Sequence, residues 1–521
     1  MRPFALLAPL LLAPTALAQP VALDPTLDGD GYAIYDSGQH DFYSLAARPD
    51  GSFYAYGQRV STDYTDARSV LLRFTADGTP DAAWGDDGAL AFDLNPGSDY
   101  YDEGFAGLVV RPDGRLLLSG RAVQGPSLSN GRAFFLQLLP DGARDPGFGE
   151  DGLVWVEYET ELTYPSAPRL MADGSARMHV VFNLDVSTVG HEQLAFVQVT
   201  PEGTLDDGFG DGGIRLVPGS HYTGAPFWLP GGASLVPDRD PEAQHALVRR
   251  FDADGVLDAS WGDAGAAAFP EIHWIYALAQ DADGRLLAAA STFDPPTGDY
   301  GAALLRMNAD GSRDGSFGAD GVALLDGPDS ESLYSVVALD DGGAMTLGSV
   351  DRDGGPRYAF YRVDADGQPV AGFGDGGLFE DQIEGMRLGL SSPALLPDGR
   401  LMAFSFVYNE AGDADFVALR FTTDLRPVAT EARPDADEAP AAEPFALFPN
   451  PSAAHVTVQL APGSEPARVE AFDVLGRRVA TLHDGPVAGP MRADVSAWPP
   501  GVYLVRVVRE GRAETRRLTV R

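Results

Sequence analysis

The sequence predicts an all-β fold built from a repeated four-stranded unit, on three observations. LLRFTADGTPDAAWGDDG at 71–88 returns as LQLLPDGARDPGFGEDG at 136–152, VQVTPEGTLDDGFGDGG at 197–213, VRRFDADGVLDASWGDAG at 248–265, LLRMNADGSRDGSFGADG at 304–321 and YRVDADGQPVAGFGDGG at 361–377. Ahead of each copy runs a shorter motif, an apolar strand, a Gly-containing turn and a second strand, and it occurs seven times. Third, Gly 61 and Pro 40 in 521 residues favour many short strands and turns over long helices.

Taken from the N-terminus, residues 1–18 (MRPFALLAPLLLAPTALA) place one Arg at position 2, then an apolar stretch, then Ala16-Leu17-Ala18 before Gln19. That is the pattern of a secretory signal peptide, too short and too early for a membrane span. Residues 19–428 hold the repeats, and an aromatic marks their register: Trp84, Phe148, Phe209, Trp261, Phe317 and Phe373, at spacings of 64, 61, 52, 56 and 56. The shorter motif turns at Asp50-Gly51, Asp113-Gly114, Asp173-Gly174, Gly231-Gly232, Asp283-Gly284, Asp341-Gly342 and Asp398-Gly399. Asp-Gly between alternating runs predicts type I′ hairpins. Two hairpins give four strands per unit. Four-stranded units repeated radially make a β-propeller, and seven units give seven blades. LDPTLDGDG at 23–31 matches the second half of the longer motif, while LRFTTDLRP at 419–427 supplies only the first half. The first strand after the leader is therefore expected to complete the last blade and close the ring.

Residues 429–443 (ATEARPDADEAPAAE) lack apolar periodicity and read as an acidic Pro/Ala linker. Residues 444–521 change character, with 10 Arg against 7 acids. Val456–Leu460, Val469–Val474 and Val502–Val507 alternate with period two, which predicts a small Ig-like β-sandwich.

Two stretches resemble known families. FPNPSAAHVTVQL at 448–460, FDVLGRRVATL at 472–482 and PPGVYLVRV at 499–507 resemble, in order and spacing, the C-terminal sorting domain of type IX secretion cargo. The resemblance implies an address read by an outer-membrane translocon, with Phe448, Pro449, Asn450, Pro451, Gly476, Gly501 and Tyr503 as motif residues. It also implies delivery to the cell surface or the medium. Phe448 stands where that family has Tyr, and Arg516, Arg517 and Arg521 replace its lysines. The six longer copies resemble the delta-60 repeat, a bacterial propeller-type repeat, over residues 21–427. That resemblance implies a fold and no particular chemistry. Copy six departs from it at Val370, where the others have Asp, and the seventh lacks the aromatic.

Composition removes several function classes. With no Cys there is no disulfide, thiolate nucleophile or cysteine metal site. All 37 basic residues are Arg, which excludes a Schiff-base lysine and a Walker phosphate loop. A net charge of -39 repels nucleic acid and anionic membranes. No second apolar run is long enough to span a membrane, and a monomer is expected.

The turns between first and second strands and between third and fourth strands share one face of a propeller, so the loops that vary between copies emerge on the other. Residues 58–68, 121–132, 184–193, 238–245 and 291–300 are such loops, and variable loops on a rigid scaffold suit binding. Counting ten residues back from the first turn of each blade reaches His40, Glu103, Thr163, His221, His273, Glu331 and Leu388. His221, His273 and Glu331 form a two-His-one-carboxylate set able to hold a divalent metal or act as acid and base; strand-start polarity is the plainer reading. Tyr100, Tyr101, Tyr164, Tyr222 and Trp274 could stack a sugar or peptide. Tyr43 and Tyr276 match in register and are assigned to the frame. Asp252, Asp254 and Asp258, and Asp364 with Asp366, space carboxylates as calcium loops do, although Asp and Gly are also the ordinary residues of tight turns. No G-x-S-x-G elbow or H-E-x-x-H pair occurs. The reading is an exported binding or scaffold propeller with an unidentified carbohydrate or protein ligand; the alternative is an extracellular glycan hydrolase or lyase centred on His221, His273 and Glu331.

Overall fold

The computed structural model describes residues 21–423 except 38, 63–66, 95–102, 124–130, 157–161, 184–191, 218–223, 241–242, 244, 295–298, 326–330, 353–354, 384–390 and 409–413. Beyond these it describes 445–448, 455–460, 467–473, 477–485, 491–496, 498–499, 501–509 and 512–520. The chain forms two compact units, Met1–Ala436 and Asp437–Arg521. No α-helix occurs among the described residues, and hence none long and apolar enough to cross a membrane.

The first unit contains seven antiparallel sheets among its described residues. Sheet 1 sets the plan: His40–Ala47, Phe53–Val60, Ala67–Phe74 and Ala89–Phe92 lie in chain order. Sheets 2 to 6 repeat it over Glu103–Val156, Leu162–Val217, Phe227–Phe269, Trp274–Leu324 and Glu331–Asp381. In sheet 3 the first strand is split into Leu162–Pro165 and Arg169–Leu170. Sheet 7 takes Ser391–Leu395, Leu401–Tyr408 and Ala414–Thr423 from the end of the unit and Val21–Leu23 and Tyr32–Tyr35 from its beginning. Val21 pairs with Thr423 and Tyr32 with Leu419, so two short N-terminal strands, where one was expected, finish that sheet.

Apolar faces meet between successive sheets. Tyr54 and Leu71 pack with Leu116 and Phe134, Phe135 with Met178, Phe196 with Phe251, Leu235 with Leu286, Leu304 with Leu333, and Phe360 with Phe421. Phe53 and Phe74 then pack with Phe404 and Phe416, which returns the succession to sheet 1.

The hairpin turns differ from the type I′ expected. The Arg48 N–H donates to Ser52 O at 2.8 Å and the Gly51 N–H to Arg48 O at 2.9 Å. Gly51 has φ +84°, whereas Asp50 is not left-handed. This is a three-residue loop, a type I turn followed by a left-handed Gly. Pro49 suits this turn, since its fixed φ matches the first turn position and forbids a positive one, and Ala282 takes the same place in sheet 5. Asp50 then accepts the Ser52 N–H at 3.0 Å. The same pair of backbone bonds closes Arg111–Arg115, Asp281–Arg285 and Leu396–Arg400, and also the longer-motif turns such as Thr75–Thr79 and Asn308–Ser312.

A second device joins the third strand to the return segment. Arg306, buried, bonds Asp314 at 2.7 Å and donates to Ala365 O of the next copy at 2.7 Å. Gln137–Asp145 and Gln198–Asp206 repeat the link with a neutral donor. Where Val370 replaces the aspartate, Arg362 pairs with Asp341 instead, at 2.5 Å. In the split copy the partners are Arg420 and Asp24, 2.8 Å apart and 396 residues distant in sequence. Arg420 also donates to Ala76 O at 2.6 Å.

In the second unit, Phe445–Phe448, His455–Leu460 and Met491–Asp494 form one sheet, and Arg478–Gly485, Ala467–Asp473, Gly501–Arg509 and Arg512–Val520 another. Val456, Val458 and Val495 share a core with Val469, Val505 and Leu518.

Candidate functional site

First strands of neighbouring sheets lie side by side from sheet 4 through 7 and on to 3, so their entries form one end of a common surface. Glu103 and Glu331 open their strands opposite Ala122 and Val350. His40 opens its own opposite Val60, His273 directly precedes Trp274–Gln280, and Thr163 pairs with Phe182. His221, Tyr222, Tyr100, Tyr101 and Leu388 lie outside the described residues, as do 63–66, 124–130, 184–191, 241–242, 244 and 295–298 of the variable loops. Strands also occupy part of the stretches read as loops: Leu286–Asp294 and Asp299–Met307 run into 291–300.

His273 and Glu331 sit in different surroundings. Glu331 is 1% exposed and lies beside the Tyr361 hydroxyl, whose pKa is pushed above the usual phenol range, first by burial and then by this carboxylate. Tyr361 belongs to the core between sheets 5 and 6. His273 instead meets three aromatic rings: Trp274 at 5.2 Å, Phe293 at 5.2 Å and Tyr300 at 5.9 Å. Its imidazole is held below its ordinary pKa, by burial first and then by the Arg239 guanidinium, which reaches Nδ1 at 3.4 Å. Arg239 also covers the Trp274 ring at 4.9 Å. The imidazole is thus neutral at pH 7, with Nδ1 accepting from Arg239 and the proton on Nε2 free to be donated.

Phe293 and Tyr300 were missed by the sequence reading. They are directly opposite each other on the second and third strands of sheet 5, rings 5.0 Å apart, and are 38% and 37% exposed. The signal lay in the 291–300 stretch, where two aromatics flank a short connection. Below them Tyr276 bonds Ser291 Oγ at 3.2 Å, and its ring meets Tyr334, 6.3 Å away, which bonds Ser349 Oγ at 3.3 Å. Tyr276 and Tyr334 both stand at β-bulges, between Ile275 and Ala277 and between Leu333 and Ser335. A bulge re-aims a side chain without breaking the sheet. Arg239, His273, Trp274, Phe293 and Tyr300 thus form a partly exposed aromatic surface on rigid strands, continued by Tyr276 and Tyr334.

Other predicted residues have local roles. Tyr164 is 47% exposed with Arg121 over its ring at 5.0 Å. Asp252 accepts the Asp254 and Val256 N–H groups at 2.9 and 2.8 Å, and Asp364 those of Asp366 and Gln368 at 3.0 and 2.9 Å. Asp258 accepts the Ser260 N–H at 3.1 Å. Among the described residues no three His, Asp or Glu side chains gather as a metal cluster. His179, also missed, is fully buried between Phe196 and Trp228, and burial, then Arg177, pushes its pKa down to about 3.

In the tail, Tyr503 is buried, donates its hydroxyl to Pro499 O at 2.7 Å and packs on Trp498 at 4.8 Å. Gly501 opens the strand that carries Tyr503, and Phe448 pairs with Thr457. Pro449, Asn450, Pro451 and Gly476 lie outside the described residues. Residues 446–521 match the family described as secretion system C-terminal sorting domain. The tail is a type IX sorting domain. It marks a protein exported by type IX secretion to the cell surface or extracellular space. Residues 111–148 match a domain of unknown function, DUF5122, of β-propeller type. The cargo ahead of the tail thus carries a β-propeller domain.

Among solved structures, the chain is similar to a fungal alcohol oxidase of the AA5 family in complex with copper, at 11% identity over 93% of this chain and 98% of that one, TM-score 0.38. It is similar to the Dos1 propeller at 9% identity over 74% and 94%, TM-score 0.41. A third is the calcium-binding protein regucalcin of Agrobacterium tumefaciens, at 13% over 76% and 96%, TM-score 0.33. No curated protein matches the sequence.

Proposed function

We propose that the chain is an exported seven-bladed β-propeller acting as a monomeric binding or scaffold module, with its ligand surface at the strand entries of sheet 5. A leader over residues 1–18, a linker over 429–443 and an Ig-like sorting sandwich over 444–521 complete the reading. The cyclic succession of seven cores and the pairing of residues 21–35 with 416–423 support the blade count. The observation that carries the function is the Arg239, His273, Trp274, Phe293 and Tyr300 cluster. Its aromatic faces are partly exposed on paired strands, which suits recognition. Catalysis of glycan cleavage needs two ionisable groups facing one reacting centre. Glu331 is buried beside Tyr361 while His273 is packed among aromatics, which favours binding over the hydrolase alternative.

Two measurements test this. Reducing-sugar release from a panel of neutral and acidic polysaccharides should be undetectable; release abolished by both His273→Ala and Glu331→Gln would establish the enzyme instead. Removal of residues 444–521 should leave the protein in the periplasm, and normal surface delivery of the truncated chain would overturn the proposed tail boundary.

A further inference from the structure

We infer that the sheet 5 surface recognises a neutral oligosaccharide, stacked on Phe293 and Tyr300 and hydrogen-bonded by His273 and the Tyr276 hydroxyl; this rests on the reading of that surface as a ligand site. A sugar offers a C–H face to an aromatic ring and hydroxyls that both donate and accept. Phe293 and Tyr300 supply adjoining rings, each more than a third exposed. The hydroxyl chemistry lies on the same side of the sheet. Ser291 and Phe293 are two apart on one strand and so share a face, and Tyr276 reaches Ser291. Ser291 is itself buried and serves to hold the half-buried Tyr276 hydroxyl, which keeps acceptor capacity for a sugar hydroxyl. The imidazole of His273, 5.2 Å from Phe293, takes the Arg239 N–H at Nδ1 and so adds an Nε2–H donor.

Two other ligand classes fit less well. An extended peptide is held chiefly by adding a strand to a sheet edge. The strands that bear Phe293 and Tyr300 are paired on both sides only over 286–291 and 303–305; past these the two pair with each other, and the edge left at the rings is three residues long on each, 292–294 and 299–301, short for an added strand. An anionic polymer meets a chain of net charge -39, and the one cation described at the cluster, Arg239, is engaged with Trp274 and His273.

The test is isothermal titration of the full secreted chain with cellohexaose, xylohexaose, mannohexaose and maltohexaose, with polygalacturonate and a basic peptide alongside. Expected is saturable binding of at least one neutral hexaose, weakened about tenfold by Phe293→Ala and by Tyr300→Ala. The thermal unfolding transition of both variants should match the parent, because both side chains are partly exposed. Binding unaffected by either substitution would overturn the inference. Binding of polygalacturonate or peptide alone, lost in the same variants, would overturn it while leaving the binding-module reading standing. No aromatic-dependent binding of any probe would sink both.

Discussion

Asp24 closes the first unit, and replacing it should open that unit at one place. Burial works against its charge, but the hydroxyl and N–H of Thr26, the Arg400 guanidinium and the charge of Arg420 outweigh burial and lower its pKa from 3.8 to about 2. That difference corresponds to about 2 kcal/mol of stability. A carboxylate with a depressed folded pKa contributes fully above its unfolded value and loses the contribution as pH falls through the folded one. The Asp24 contribution should therefore be complete above about pH 5 and fade between about pH 4 and pH 2. Asp24→Asn removes the charge and also leaves Arg420, 1% exposed, without its counter-ion, which raises the expected loss at pH 7 toward about 3–5 kcal/mol. Urea unfolding of parent and variant across pH 2–7 measures the difference directly. Position matters as well as size. Asp24–Arg420 ties residues 396 apart, whereas Arg306–Asp314 ties neighbours within one copy. Amide exchange in Asp24→Asn should accelerate first in residues 416–423, which pair with 21–23 and 32–35, and Asp314→Asn should spare them. A loss below about 1 kcal/mol at pH 7, a loss undiminished at pH 2, or equal exchange at 416–423 in both variants would refute the reasoning.

Three further outcomes follow from the same packing. His179 is neutral when folded, while the unfolded chain binds a proton below its ordinary 6.5, so stability should fall as pH drops from about 6.5 toward about 3, by up to about 5 kcal/mol; His179→Leu should flatten urea-derived stability between pH 6 and 4, and an unchanged slope would count against it. Gly311 and Gly376 both have positive φ, but a Cβ on Gly311 would lie 2.6 Å from the Trp261 ring and one on Gly376 would meet nothing within 4 Å. Gly376→Ala should cost about 1 kcal/mol and Gly311→Ala clearly more; equal losses in thermal unfolding would contradict the clash. Asp252→Ala should destabilise by about 1 kcal/mol through its lost turn bonds, equally with EDTA and with added calcium; saturable calcium binding lost in that variant would make the turn a metal site.

How much of this was legible depended on what each residue has to do. The hairpins and their register could be read because Gly and Asp recur where the backbone requires them, and the aromatic at Trp84, Phe148 and Phe209 recurs because it fills the same core position. The turn type was misread because Asp-Gly was taken as a two-residue loop, whereas the residue before it, Pro49 or Ala282, also belongs to the loop and makes it three. Side-chain direction at the strand entries was not legible, because it depends on bulges. Sheet 1 has none in its first strand, so the backbone of His40 pairs with Val60, the eighth residue of the second strand. The backbones of Glu103 and Glu331, behind bulges, pair with the seventh, Ala122 and Val350. One inserted residue shifts a side chain to the opposite face. For the same reason Tyr43, in an unshifted pair with Gly57, is not the counterpart of Tyr276, whose true counterpart is Tyr334.

The acidity of the chain has a structural origin that changes what it says about partners. Asp50, Asp113, Asp173, Asp310 and Asp398 each accept an N–H two residues on, in the turns at one end of the sheets. Asp145, Asp206 and Asp314 do the same in the return segments while holding Gln137, Gln198 and Arg306. A carboxylate is chosen there because it accepts from backbone and from a side-chain donor at once, so every added copy brings more negative charge whatever the protein binds. Part of the negative charge is therefore set by the repeat and lies at the turn end. The aromatic cluster of sheet 5 stands at the other end of the same strands, beside Arg239. There the local chemistry of rings, hydroxyls and one neutral imidazole decides the ligand, and the long-range field of the turns only biases the choice against anions.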